Sequence, residues 1–182
     1  MKPTLVTGNK GKVEAIAKWL GYELPHQAID LEELQELDTK AIVTHKAKQA
    51  YKILGKPVLI DDTSLTFHAL GQLPGPYIKW FLSELKLEGC CRLLDSFDSR
   101  QATARVTLGL YDGKNMNIFD AEMPGSIADH PRGDGGFGWN PIFIPEGSDK
   151  TYAEMNDQEL ELDAVRKKAV DQLKHHLDRL KP

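Results

Sequence analysis

The chain has 182 residues, 41% hydrophobic and 27% charged, which suits one substantial core or two closely joined lobes and excludes a disordered protein. Its formal charge of −4 comes without the basic stripe and interleaved aromatics of a nucleic-acid module, although a small anion can still bind locally. Two adjacent cysteines, Cys90 and Cys91, cannot close an ordinary disulfide loop, and no apolar run has signal-peptide or membrane-spanning length, so a soluble cytoplasmic protein is expected.

Residues 4–7 read as a strand, Gly8-Asn9 as a turn, and Val13, Ile16, Ala17 and Leu20 as one face of a helix that Gly21 stops. A second helix starts near Asp38-Thr39, places Ile42, Val43, Ala47, Ala50, Tyr51 and Leu54 on one side, and ends at Gly55. The strand 57–61 follows, and this order favours helices packed on a sheet. Pro74-Gly75-Pro76 breaks the chain before a helix carrying Ile78, Phe81, Leu82 and Leu85, which a short helix over 88–94 continues. Trp80 and Phe81 suit core or dimer packing.

From Ala102 the period changes to two. Ala104, Val106, Leu108 and Leu110 alternate with polar neighbours, and Asp112-Gly113 turns into a second run over 116–123, predicting a hairpin. Pro141-Ile142-Phe143-Ile144-Pro145 reads as one more short strand. Asn156 with Glu159 forms a capping pair. The last helix presents Val165, Ala169, Val170, Leu173, Leu177 and Leu180 to a core. With no internal repeat, low-complexity tract or long linker, residues 1–182 read as a single domain.

Three segments carry chemistry. In Pro57-Val58-Leu59-Ile60-Asp61-Asp62-Thr63 an apolar strand ends in two carboxylates, which either begin a solvated turn or face a cation. In Thr7-Gly8-Asn9-Lys10-Gly11-Lys12 a strand passes into a helix, so free N–H groups, the helix dipole and two lysines suit a phosphate, while a plain capped helix start explains the same residues. Neither the Walker A spacing nor G-x-G-x-x-G is present. In Gly135-Gly136-Phe137-Gly138-Trp139-Asn140-Pro141 two aromatics sit in a glycine-rich loop, either to stack a planar base or to pin the loop into the core.

Together these segments resemble the inosine triphosphate pyrophosphatase family. The likeness runs along nearly the whole chain, through Val6-Thr7-Gly8-Asn9, Ile60-Asp61-Asp62-Thr63, Gly71-Gln72-Leu73-Pro74-Gly75-Pro76-Tyr77-Ile78-Lys79-Trp80-Phe81, Phe137-Gly138-Trp139 with Pro141, and Thr151-Tyr152-Ala153-Glu154-Met155. The resemblance implies an elongated, two-lobed α/β fold with a mixed central sheet flanked by helices, an active-site cleft between the lobes, and a homodimer. It also implies Mg²⁺-dependent hydrolysis of deaminated purine triphosphates, such as inosine or xanthosine triphosphate, to the monophosphate and pyrophosphate. By matching position, Thr7, Asn9 and Lys12 contact phosphates, Glu33 and Asp62 hold Mg²⁺, Lys46 neutralises phosphate charge and Phe137 stacks on the base. Thr63, Trp139, Asn140 and Arg166 complete the implied substrate contacts. Glu33 and Lys46 rest on the resemblance alone, since acidic stretches and helix lysines are ordinarily solvated.

A triphosphate must be screened before water can approach phosphorus, and Mg²⁺ with lysines does this, using one or two carboxylates and the phosphate oxygens as ligands. Mn²⁺ is a possible substitute. Asp61 or Asp62 then orients or deprotonates the water, while Lys12 stabilises the leaving pyrophosphate. The base side departs from the family. Where members carry Ser-His-Arg this chain has Ala164-Val165-Arg166, Leu160 replaces a lysine and Asn140 an aspartate. A shifted alignment puts Arg166-Lys167-Lys168 over the triplet instead. Losing donors relaxes or redirects purine selection. The alternative function is a nucleotide binder of the same fold with little or no pyrophosphatase activity. His175 and His176 lack zinc-type spacing and read as surface residues.

Overall fold

The computed structural model describes residues 2–180. Strand β1 (Thr4–Val6) leads through Asn9 into helix α1 (Lys10–Leu20), which stops where Gly21 takes the left-handed conformation at φ 83°. A two-residue strand β2 (His26–Gln27) pairs parallel with β1. Helix α2 (Thr39–Leu54) is capped by the Asp38 side chain, which accepts from the Lys40 N–H, and ends at Gly55 with φ 62°. Both helix boundaries follow the capping and glycine signals in the sequence.

Strand β3 (Val58–Phe67) differs from expectation. It runs ten residues, straight through the acidic pair, rather than ending at Asp61. The reason lies in the residues after the pair: Ser64 to Phe67 alternates polar with apolar, and Leu65 and Phe67 are fully buried. Asp61 and Asp62 are therefore neither a solvated turn nor a pair leaving the strand together. Successive side chains on a strand point to opposite faces, so the two carboxylates diverge.

Strand β4 (Pro74–Gly75) pairs antiparallel with β3, and helix α3 (Ile78–Arg92) follows. Lys86 interrupts α3 with φ 60° and ψ −179°, giving the two successive helical stretches expected. Trp80, 57% exposed, is not a core residue. Strands β5 (Gln101–Tyr111) and β6 (Met116–Ile127) are neighbours joined by the Asp112 turn, whose carboxylate accepts from the N–H groups of Lys114 and Asn115. A 3-10 turn over Asn140–Ile142 precedes β7 (Phe143–Pro145), which pairs antiparallel with β6.

Helix α4 (Asp157–Asp163) carries the Asn156–Glu159 capping box, and α5 (Val165–Arg179) begins after the extended Ala164. Val165, Ala169, Val170, Leu173 and Leu177 are buried as expected, but Leu180, just past the end of α5, is exposed. Among the described residues the sheet is seven-stranded and mixed, in the order β2-β1-β3-β5-β6-β7, with β4 on β3. No described helix is long and apolar enough to cross a membrane.

The chain forms two compact units, one from residues 1–63, 106–121 and 166–182, the other from 64–105 and 122–165. In the first, Val43, Ala47 and Ala50 of α2 pack with Val6 of β1 and with Val58 and Ile60 of β3. Gly109 lets this helix lie close, since a Cβ there would stand 3.1 Å from Val43. In the second, Trp139, Phe143 and Tyr152 make a mutual aromatic cluster with ring centroids 5.2–6.0 Å apart. Cys90 and Cys91 are free and buried, and burial pushes both thiols up to about 11, so they are inert at neutral pH.

Candidate active site

Two ionic clusters form on the two faces of β3. On the face of Ile60, Asp62 Oδ2 accepts from Lys46 Nζ of α2 at 3.0 Å, and the same ammonium reaches Glu33 Oε1 at 3.3 Å. Burial alone would lower Lys46, but Asp62, through charge and hydrogen bond, and then Glu33 raise it above its ordinary value. Glu33 is held beside α2 by its neighbour. The Glu32 N–H donates to Gln49 Oε1 at 3.1 Å, and the Glu32 carboxylate meets His45 Nε2 at 3.2 Å.

On the face of Leu59, Asp61 Oδ2 bonds Arg166 Nη1 of α5, and Oδ1 lies 3.0 Å from Lys12 Nζ of α1 without hydrogen-bond geometry. Lys12 donates instead to the Asp61 carbonyl at 2.8 Å. The Asp61 side chain is fully buried. Burial, and then the Arg166 charge, push the Lys12 ammonium down to about 7, while Asp62 pulls it back up. Burial also lowers Arg166, to about 10, leaving it charged at neutral pH.

Asn9 caps α1, with Oδ1 accepting from the Lys12 N–H at 3.3 Å, so its amide hydrogens remain as donors. Thr7 Oγ1 accepts from the Asn9 N–H at 3.1 Å. Thr63, half-buried, lies on the Asp61 face of β3. The structure thus brings together Lys12, Asp61 and Arg166, and near them Glu33, Lys46 and Asp62, whose charges all act on the Lys12 ammonium, all within the first unit.

Phe137, Trp139 and Asn140 belong to the second unit. Phe137 is half-buried, while Trp139 is buried with its ring edge-on to Phe143, the packing of a loop pinned by its aromatic. Asn140 is half-buried, and its N–H donates to the Phe137 carbonyl at 3.3 Å. Ala164 and Val165 are buried, and the Val165 N–H donates to the Tyr152 hydroxyl at 3.3 Å. Ala164 and Val165 thus contribute apolar packing at the start of α5. Lys167 pairs with Asp171 one turn on, and Lys168 is exposed. Among the described residues no cluster of three or more His, Cys, Asp or Glu side chains is arranged to hold a metal.

The Asp61–Arg166 pair was missed at the level of sequence. Its signal is an arginine three and four residues before Ala169 and Val170, on the apolar face of α5, where a buried cation needs a buried counter-charge.

The profile of the Ham1 family matches residues 4–176. The chain belongs to this family. Its similar relatives include inosine triphosphate pyrophosphatase 2 of Trypanosoma cruzi (strain CL Brener), 42% identical over 96% of this chain and 91% of that one. The inosine triphosphate pyrophosphatase of Schizosaccharomyces pombe (strain 972 / ATCC 24843) is 42% identical over 85% of this chain and 83% of that one. Among solved structures, a HAM1 protein from Coxiella burnetii superposes with a TM-score of 0.83 at 26% identity, covering 98% of this chain and 99% of the other. The Staphylococcus aureus Ham1 protein shares the fold, with a TM-score of 0.84 at 24% identity and full coverage of both chains.

Proposed function

We propose that the protein is a Mg²⁺-assisted pyrophosphatase that splits deaminated purine nucleoside triphosphates into monophosphate and pyrophosphate, removing such nucleotides from the pool. The observation that carries this reading is β3 itself, where adjacent carboxylates face opposite sides and each meets a lysine from a different helix. Such an array supplies cations for a polyphosphate and a carboxylate for water. The names of the relatives support the same substrate class.

The Asn9 amide, the N-terminus of α1 and Lys12 receive phosphate oxygens, and Lys46 adds a second cation. Asp62 orients or deprotonates the attacking water, since its side chain retains 13% exposure where that of Asp61 has none. Lys12 stabilises charge on the departing pyrophosphate. Glu33 and Asp62 already converge on one positive charge, Lys46 Nζ, and their oxygen donors suit a hard divalent ion, so these two residues would hold Mg²⁺, or Mn²⁺ in its place. That ion, when bound, screens phosphate charge.

With Ala164 and Val165 packed inward, selection between keto and amino purines rests on fewer donors, and we expect discrimination below about 10²-fold. A homodimer in the cytoplasm completes the reading. Exposed Trp80 and Leu73 support a subunit contact, and the free cysteines support a reducing compartment. The test is product analysis over inosine, xanthosine, guanosine and adenosine triphosphates with Mg²⁺. Monophosphate and pyrophosphate are expected, whereas diphosphate and orthophosphate, or no turnover, would refute the reading.

A further inference from the structure

Between β2 and α2, residues 28–37 run without helix or strand, and Ile29 and Leu31 rest against the cluster that holds Val43, Ala47 and Ala50. Glu33 rides on this irregular segment. Among the described residues, the one main-chain group of 28–37 that another element holds by a hydrogen bond is the Glu32 N–H, which donates to Gln49 Oε1 of α2 at 3.1 Å. Gln49 Nε2 also donates to Glu32 Oε2 at 3.4 Å, and the same oxygen meets His45 Nε2 at 3.2 Å. His45 and Gln49 stand one turn apart, so one face of α2 grips Glu32 with both side chains. One residue on, the Glu33 carboxylate meets Lys46 of the same helix.

We propose that Gln49 is a positioning residue for the divalent ion: by fixing the main chain at Glu32, it sets where the Glu33 carboxylate stands beside Asp62. This rests on the metal reading above and deepens it. The Glu33 side chain is 56% exposed and its ion pair with Lys46 is screened by water, so that pair alone does not hold a long side chain in one place. The main chain beneath it must be fixed. Mg²⁺ demands near-ideal oxygen geometry and takes few protein ligands, so the placement of each ligand shows directly in affinity. Two consecutive glutamates thus have different tasks, Glu32 as the anchor of the segment and Glu33 as the ligand.

Gln49→Met keeps the length of the side chain and removes the amide that holds Glu32. Mn²⁺ serves as the probe, because water-proton relaxation rises when this ion is held on a protein, and it is titrated with and without inorganic pyrophosphate. The proposal predicts Mn²⁺ affinity lower by about threefold to tenfold, the worth of one lost hydrogen bond. The Mg²⁺ concentration for half-maximal turnover of inosine triphosphate rises in parallel, while kcat at saturating Mg²⁺ stays within about threefold, since the ligand itself is still present. Calorimetry without metal should find pyrophosphate affinity within about twofold of wild type. A smaller change in Mn²⁺ affinity overturns the proposal. So does an equal loss of metal-free pyrophosphate binding, which would mean a general disturbance of α2.

Gln49→Ala, which installs the strongest helix former, is the second variant should the first fail to fold, and the same loss of Mn²⁺ affinity is expected of it. A wild type that shows no relaxation change with Mn²⁺ in either condition refutes the metal site of the functional reading and takes this inference with it. A wild type that binds Mn²⁺, matched by both Gln49 variants, refutes the positioning role alone.

Discussion

Replacing Lys46 by methionine tests the Glu33–Lys46–Asp62 cluster through stability as well as through catalysis. The aliphatic stem is preserved, and the ammonium that Asp62 and Glu33 share is lost. Glu33, with its side chain 56% exposed, returns to water, so its share is screened to about 0–1 kcal/mol. Asp62 is only 13% exposed and loses a charge-assisted bond, a cost of about 1.5–3 kcal/mol. The sum, about 1.5–4 kcal/mol, predicts a Tm lower by roughly 3–16 °C for a chain of this size. Because the folded pKa of Lys46 lies above its unfolded 10.5, the stabilisation is fully present below pH 10.5 and disappears as pH rises through the folded value. Calorimetric unfolding of both proteins at pH 7, 9 and 11 should therefore show an equal gap at the first two and a smaller one at the third. No gap at pH 7, or one that closes between pH 7 and 9, would refute the pairing.

Two further outcomes concern other parts of the molecule. Lys12, held near pKa 7 in the free protein, regains its charge when phosphate binds, so pyrophosphate binding at pH 8 should take up protons. Calorimetry in two buffers of different ionisation enthalpy measures this, and identical heats would contradict the burial effect. Trp139→Ala should cost about 3–5 kcal/mol in denaturant unfolding, because the ring packs on Phe143 and Tyr152. An unaltered midpoint would assign it to ligand stacking instead.

Much of the fold was legible because its signals are local. Asp38 and Gly55 bound α2, Asn156 and Glu159 cap α4, and the alternation of Ala102 to Leu110 produces β5. The two-residue strands β2 and β4 were not legible, since a pairing this short leaves no periodicity. The site divided in the same way. Asp61 and Asp62 announce themselves as a pair, but their opposite fates depend on the strand continuing, and Ser64 to Phe67 held that information unread. Glu33 came to notice only through family resemblance, because its partner Lys46 lies on another element and a run of acidic residues ordinarily faces water.

The central claim is that Asp62 serves the reaction directly from β3, beside Lys46 and Glu33. Turnover of inosine triphosphate by Asp62→Asn, at saturating substrate and with Mg²⁺, tests it most directly. The account predicts a loss of kcat of about 10²-fold or more in a folded protein. Pyrophosphate release at the wild-type rate would contradict it.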